Sequence, residues 1–255
     1  MDMQQHRNTV EFAVTGKYAL FSDILTRAGG EKTSYHIPTY EALKGIMHSV
    51  YWKPTIIWII DDVRVMKPIR FCRKGIRPIR YIDGKNELAY YTYLENVEYQ
   101  VRAHFEWNFN RPELEHDRIE NKHHNIAKRM IERGGRRDIF LGTRECQGYV
   151  TPCVFGEGTG HYDQVETIPY SLMEHGFTYA DEAICEEDKG KLTLRLWKPK
   201  MEKGVIHFER PEKCAIKRHI RDMEIKTFSE KDFSGLKEFE EGEFDELDER
   251  IISSL

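Results

Sequence analysis

Two stretches of this sequence carry residue types suited to phosphate chemistry. Asn121-Lys122-His123-His124 sets a fixed cation beside two imidazoles, and Lys128, Arg129, Arg133, Arg136 and Arg137 follow. Histidine titrates closest to neutral pH, so it can take a proton and return it. A neighbouring lysine supplies a permanent charge for a pentavalent phosphorane. A ribonuclease that works without a metal needs this kit: a base for the 2′-OH, an acid for the departing 5′-oxygen, and cations for the phosphate. Its products are a 2′,3′-cyclic phosphate and a 5′-OH. From Asp117 to Arg144, eight bases stand against four acids. Successive helical residues point about 100° apart, so His123 and His124 face different ways and lack the i, i+4 spacing of a metal-binding pair. A lone histidine in a basic helix is more often a surface or phosphate-binding group than a catalyst.

The second stretch runs from Arg64 to Arg80. It holds Arg64, Lys67, Arg70, Arg73, Lys74, Arg77 and Arg80 with no acid among them. Such runs are usually solvated faces. Cations crowded on one short element repel one another, however, and a phosphate backbone relieves that repulsion. Arginine also forks onto phosphates and stacks on bases. Tyr81, Tyr90, Tyr91 and Tyr93 follow, as stacking faces or as ordinary strand residues.

Elements must hold these groups. Thr9 to Thr15 alternates and reads as a strand; Tyr18 to Gly30 reads as a loop. Tyr40, Leu43, Ile46, Met47 and Val50 recur at helical spacing behind Thr39, an N-cap candidate, and Lys53-Pro54 stops the helix. Thr55 to Ile60 reads as a buried strand. Two short strands around Lys74-Gly75 would make a hairpin. Val97 to Trp107 is a strand, Pro112 to Arg133 a helix closed by Gly134-Gly135, and Ile139 to Phe155 a further strand region. This order is that of a split βαβ, ferredoxin-like α+β fold carrying a basic β-hairpin insertion. After Gly156, Leu192 to Trp197 and Gly204 to Glu209 read as a small C-terminal β-sheet domain. The expected divisions are 1–155, 156–228 and a solvated acidic tail, 229–255.

The net charge of −4 hides that division. The tail holds three of the 39 bases and ten of the 43 acids, leaving 36 bases and 33 acids before it. The body is therefore basic, and the overall sign does not exclude nucleic acid. No apolar run reaches the roughly 18–20 residues of a membrane span, and the first ten residues lack the apolar core of a signal peptide. A cytoplasmic protein without membrane contact is the expectation. The five cysteines include no C-x-x-C pair, so buried thiols are expected and no metal or other cofactor.

Several stretches together resemble one family. They are Gly29-Gly30-Glu31-Lys32, Pro38-Thr39-Tyr40 through Ala42-Leu43-Lys44-Gly45-Ile46, and Tyr51-Trp52-Lys53-Pro54-Thr55. Others are Val65-Met66-Lys67-Pro68-Ile69, Gly134-Gly135-Arg136-Arg137-Asp138-Ile139-Phe140-Leu141-Gly142 and Arg144-Glu145-Cys146-Gln147-Gly148-Tyr149. The chain resembles the fifth family of CRISPR-associated proteins in its type I-C form, over about residues 9–228. The resemblance implies an RRM-type ferredoxin-like domain with a small β domain. It implies metal-independent cleavage of precursor CRISPR RNA within its repeat hairpin, then retention on the 5′ handle of the guide. The implied partners are repeat RNA, mature guide RNA, and the large and backbone subunits of the type I-C complex, with target DNA reached through that complex. The family's catalytic tyrosine matches Tyr51 and its Lys-His pair Lys122-His123, with His124 as the alternative imidazole. His123 would then transfer the proton, Lys122 steady the phosphate, and Tyr51 orient the 2′-OH. Lys67, Arg70, Arg73, Lys74, Arg77, Arg80, Lys128, Arg136 and Arg137 are the expected RNA-binding set. The competing expectation is a subunit that caps the guide handle without cutting. A metabolic enzyme on the same fold is the remoter one, since the chain shows no phosphate-binding glycine loop.

Overall fold

A strand of nineteen residues, Ala89–Trp107, organises the chain. The computed structural model describes residues 7–226. The chain divides into Met1–Met223 and Glu224–Leu255, and every element below belongs to the first unit. The expected acidic tail, 229–255, lies outside the described residues.

Strand β1 (Val10–Ala19) buries Val10, Phe12 and Val14 on alternate positions. It runs past the expected loop start at Tyr18. A one-turn helix, α1 (Ile24–Arg27), follows, capped by the Asp23 carboxylate accepting from the Leu25 N–H at 2.9 Å. Helix α2 (Tyr40–Val50) starts as the sequence predicts, with Thr39 Oγ1 accepting from the Ala42 N–H at 3.1 Å. It buries Leu43, Ile46, Met47 and Val50 against the sheet. Strand β2 (Ile56–Val65) is buried along almost its whole length, as its β-branched run requires.

The hairpin differs from expectation. Lys74 and Gly75 do not turn; they lie inside β3 (Phe71–Ile76), opposite Tyr91 and Tyr90 at the start of β4 (Ala89–Trp107). The reversal falls in residues 77–88, where Pro78 cannot donate to a ladder and Gly84 takes φ 65°. The helix expected over 112–133 is also broken. A short 3-10 segment, Pro112–Asp117, is separated from α3 (Glu120–Glu132) by Arg118 and Ile119, which leave helical geometry. After Gly134 and Gly135, both at positive φ, come β5 (Ile139–Phe140) and β6 (Gln147–Pro152). Gly142, at φ 98°, admits no side chain, because a Cβ would lie 2.0 Å from the Leu20 carbonyl oxygen.

The remaining strands are β7 (Thr167–Pro169), β8 (Met173–Thr178), β9 (Lys191–Trp197), β10 (Lys200–Glu202), β11 (Val205–His207) and β12 (Ile216–Asp222). Nine strands share one sheet in the order β5-β6-β1-β4-β2-β11-β10-β7, with β3 also on β4, and β12-β9-β8 form a second sheet. All the strand pairs are antiparallel. Pairing thus crosses the expected division at 155/156, since β11 extends the edge of β2. Charge links α2 to this part of the chain: buried Lys44 Nζ lies 2.5 Å from Glu182 Oε2, in the 3-10 turn after β8, and 3.4 Å from Glu41 Oε1 of its own helix, and Arg195 of β9 lies 3.7 Å from Glu41.

Candidate active site

Helix α2 ends because Pro54 follows closely, and its C-cap is Tyr51, an extended residue whose N–H donates to the Met47 carbonyl at 2.8 Å. The Trp58 indole donates to the Tyr51 carbonyl at 2.8 Å. These two bonds turn the phenol inward, and Tyr51 is buried. Burial pushes its hydroxyl up to about 12; the Asp117 charge adds to that, and the Arg136 charge opposes it.

Helix α3 supplies the imidazole. His123, Ala127 and Ile131, one helical face at i, i+4 and i+8, are its buried residues. His123 is 0% exposed. Phe105 and Trp107 meet its ring edge-on, with centroids 6.1 and 5.7 Å away. His123 Nδ1 lies 2.9 Å from the Tyr51 hydroxyl and Nε2 lies 2.7 Å from the Asp117 carbonyl oxygen. A carbonyl only accepts, so Nε2 carries a proton. The neutral ring then keeps its lone pair on Nδ1, and the Tyr51 hydroxyl donates to it.

The break before α3 makes this possible. It swings the Asp117 carbonyl over the first helical turn, where it accepts from His123 instead of continuing a helix. The Asp117 carboxylate accepts from Thr55 Oγ1 at 2.7 Å, pairs with the Lys122 ammonium, and lies 3.4 Å from His123 Nε2. Burial alone would raise that carboxyl. The hydrogen bonds from Lys122 and Thr55 and the charges of His123 and Lys122 hold it below the usual range. Sequence reasoning missed Asp117 and Thr55. The available signal was an acid just ahead of a helix whose first turn carries Lys-His.

Tyr51, Lys122 and His123 thus come together, with Lys122 on the solvent side, its side chain 46% exposed. His124 is half-buried one position on, and its Nδ1 has no hydrogen-bond partner. The backbone N–H groups of Arg136 and Arg137 both donate to the Ser49 carbonyl, at 3.1 and 3.0 Å, which ties that loop to the end of α2. Lys128 faces β1, lining a hollow with Glu11 and Glu132.

The basic run lies elsewhere. Leu94, opposite Phe71 of β3, and Phe105, against His123, are eleven residues apart on β4, roughly 36 Å at strand rise. Nor is the run uncompensated. Arg64 is buried, bonded to Asp163 at 2.8 Å and to the Gly158 carbonyl at 2.9 Å. Arg80 pairs with Asp83 at 2.6 Å, Lys67 with Glu98 at 3.2 Å and Arg73 with Glu31 at 3.7 Å. Apart from Asp83, three residues beyond Arg80, the acids come from other segments, which a local charge count does not see. Aromatic faces line this arm: Lys74 Nζ sits 3.1 Å from the Tyr18 ring centre and Arg73 lies 4.4 Å above Tyr90. Arg70 joins Lys17, Lys67 and Tyr149 around a groove of about 630 Å³. Arg77 is exposed in the connection after β3.

Among the described residues no helix is long and apolar enough to cross a membrane, and no group of three or more acidic, histidine or cysteine side chains is arranged to hold a metal ion. Two curated relatives, both named CRISPR pre-crRNA endoribonuclease Cas5d, are similar to parts of this chain. That of Mannheimia succiniciproducens is 39% identical over 64 residues, 25% of this chain and 28% of the relative. That of Thermus thermophilus is 26% identical over 148 residues, 54% of this chain and 62% of the relative. The matches therefore span less than two thirds of either relative. Two solved structures agree more fully, each covering 82% of this chain and 96% of its own. One, a crystal structure of a CRISPR-associated protein, is 31% identical with a TM-score of 0.65. The other, a functionally uncharacterized protein from Streptococcus mutans, is 37% identical with a TM-score of 0.68. A family model described as CRISPR-associated protein (Cas_Cas5) matches residues 9–209, and with most of its length so covered the chain belongs to the Cas5 family of CRISPR-associated proteins.

Proposed function

We propose that this protein is a metal-independent endoribonuclease of the type I-C subtype, cutting precursor CRISPR RNA within its repeat hairpin. The observation that carries the reading is the buried chain Tyr51–His123–Asp117 ending beside an exposed lysine. The Tyr51 hydroxyl stays protonated near neutral pH, so it relays rather than ionises. The RNA 2′-OH gives its proton to Tyr51 as Tyr51 passes its own to His123 Nδ1, and the imidazolium is held by Asp117. The 2′-oxygen attacks phosphorus, the P–O5′ bond breaks, and the 5′-oxygen takes a proton from water; the hydroxide so formed is neutralised through solvent by the proton held on His123, which returns the ring to its neutral form. Lys122 stabilises the phosphorane charge. Because Tyr51 is covered in the free protein, RNA binding has to uncover its hydroxyl.

The same reading assigns Lys67, Arg70, Arg73, Lys74, Arg77, Arg80, Lys128, Arg136 and Arg137 to the RNA. It keeps the product on the guide 5′ handle, with the large and backbone subunits as cytoplasmic partners. The order β6-β1-β4-β2, with α2 and α3 as crossovers, supports a ferredoxin-like core. In that core the β3–β4 arm is the insertion and β8, β9 and β12 are the sheet of the smaller domain.

The test is cleavage of repeat RNA in excess chelator, repeated with a 2′-deoxy scissile nucleotide. Cleavage with chelator and none of the deoxy RNA is expected, with Tyr51→Phe, Lys122→Ala and His123→Ala inactive and His124→Ala active. Cleavage of the deoxy RNA overturns the mechanism. Tight binding of intact RNA without cutting returns the protein to the handle-capping reading.

A further inference from the structure

A second cavity adjoins the Tyr51–His123 site. It has a volume of about 550 Å³, and Phe105 and Trp107 form part of its wall. Those same two rings pack against His123. Glu120, also in the lining, is one helical turn before His123 on the same face, roughly 5–6 Å away between Cβ atoms. Glu106 and its cross-strand partner Ile57 face the opposite side of the sheet from Phe105, so the cavity wraps the end of β4 and is separated from His123 by the Phe105–Trp107 pair and the first turn of α3.

Its walls suit a flat, uncharged, polar-edged ring. Phe109, just after β4, is 73% exposed at the cavity. The Arg118 guanidinium covers one side, 5.0 Å from the ring centre. Arg118 is itself fixed, donating to the carbonyls of Asn108 at 3.3 Å and Arg111 at 3.0 Å. On the far side, Asn110 spends its amide N–H groups on the carbonyls of Asp181 at 3.2 Å and Ala183 at 2.9 Å, which anchors the loop carrying Ala183 and Ile184. The aromatic wall is thus held from both ends before any ligand arrives.

Charge decides which part of a nucleotide fits. Glu106 is ionised, held down to about 2 by the His104 imidazole and, against its own burial, by Arg210. Glu120 adds a second carboxylate, and Lys189, the cation in the lining, is paired with Glu186 at 2.5 Å. Glu106 is offset by Arg210 as Lys189 is by Glu186, which leaves the Glu120 carboxylate to disfavour a phosphate; a base, with a neutral π-face and N–H edges, is not disfavoured. Single-stranded bases are held in this way, by stacking on aromatic rings and by edge contacts.

We propose that this cavity receives one unpaired base of the RNA next to the scissile phosphate, stacked on the Phe109–Trp107 wall, while the phosphate lies at Lys122. The inference rests on the nuclease reading above and adds a base-binding subsite to it. Phe109 is exposed, so its truncation leaves the core intact.

The experiment measures the dissociation constant of repeat RNA carrying a 2′-deoxy scissile nucleotide, for wild type, Phe109→Ala and Phe109→Trp. Abasic substitutions are placed one at a time around the cut. Phe109→Ala is expected to weaken binding about 5- to 100-fold, and Phe109→Trp to restore it. One abasic position should weaken wild-type binding similarly and leave Phe109→Ala nearly unaffected, the non-additivity of a direct contact. Unchanged binding by Phe109→Ala, or losses that simply add at every abasic position, overturns the subsite. Cleavage of unmodified RNA is scored separately. Cutting without the coupled loss refutes the subsite alone; the coupled loss without cutting refutes the nuclease reading alone.

Discussion

Asp117→Asn isolates the charge that the proposed relay depends on. Asparagine keeps the shape: its side-chain oxygen can still accept from Thr55, and the backbone carbonyl still receives His123 Nε2–H. What disappears is a negative charge 3.4 Å from His123 Nε2 and paired with Lys122. When the imidazole takes the proton, that charge stabilises the product. Coulomb's law at 3.4 Å gives about 5 kcal/mol at an effective dielectric constant near 20 and about 1 kcal/mol in water. The Asp117 side chain is 19% exposed, which places the site between those limits. A loss of about 1.4–4 kcal/mol, or roughly 10- to 1,000-fold in the cleavage step, is therefore expected. The surface part of the change is small, since a half-exposed lysine pair is worth about 0–1 kcal/mol. Single-turnover cleavage of saturating repeat RNA measures the step, and thermal unfolding checks the fold. If Asp117→Asn retains more than half the wild-type rate while the melting temperature is unchanged, Asp117 does not hold the proton-bearing imidazole, and the relay is wrong.

Four further outcomes follow from the same contacts. Tyr51→Phe leaves the buried His123 Nδ1 without its donor, so unfolding should show a loss of about 1–3 kcal/mol, near 2–4 °C in Tm per kcal/mol. The Tyr51 phenol sits at about 12 in the fold against about 10 unfolded. Its contribution to stability is therefore full below pH 10 and disappears as pH rises towards 12, and the wild-type minus Tyr51→Phe absorbance difference should show phenolate only near the upper value. Lys44→Met takes the buried ammonium away from the half-buried Glu182 carboxylate, while Glu41 keeps Arg195 and the Phe177 N–H, so denaturant unfolding should show a loss of about 3 kcal/mol, the low end for a broken buried pair. Arg70→Ala should weaken RNA binding regardless of sequence and reduce the log–log salt slope by about 0.7, one single-strand phosphate contact.

How much of this was legible beforehand varies with the range of the interaction involved. Helix α2 was readable because Thr39, the apolar spacing and Pro54 act within a few residues. His123, Ala127 and Ile131 fall on one face by spacing alone, so a buried His123 was implicit in the helix. The break at Arg118 and Ile119 was not, since it goes with Asp117 finding Thr55, sixty-two positions away, as well as His123 in the next turn. Lys74-Gly75 looked like a turn, yet Tyr90 and Tyr91 pair it into a strand. Arg64 counted as one more surface cation until Asp163, ninety-nine positions away, enclosed it.

Strand β4 keeps the two chemical stretches of the sequence apart, which under the nuclease reading would give them separate tasks. Its first residues carry the cationic, aromatic arm with β3, while Phe105 and Trp107 near its other end wall the imidazole. An RNA that touched both would follow the strand for roughly 36 Å. Losing a cation at the arm should then change affinity and its salt dependence, with the bound RNA still cut at the normal rate. Changing Asp117 should do the reverse. Affinity and cleavage rate separate in this way only if the two ends of β4 act independently, and a parallel loss of both in either set of variants would join them into one site.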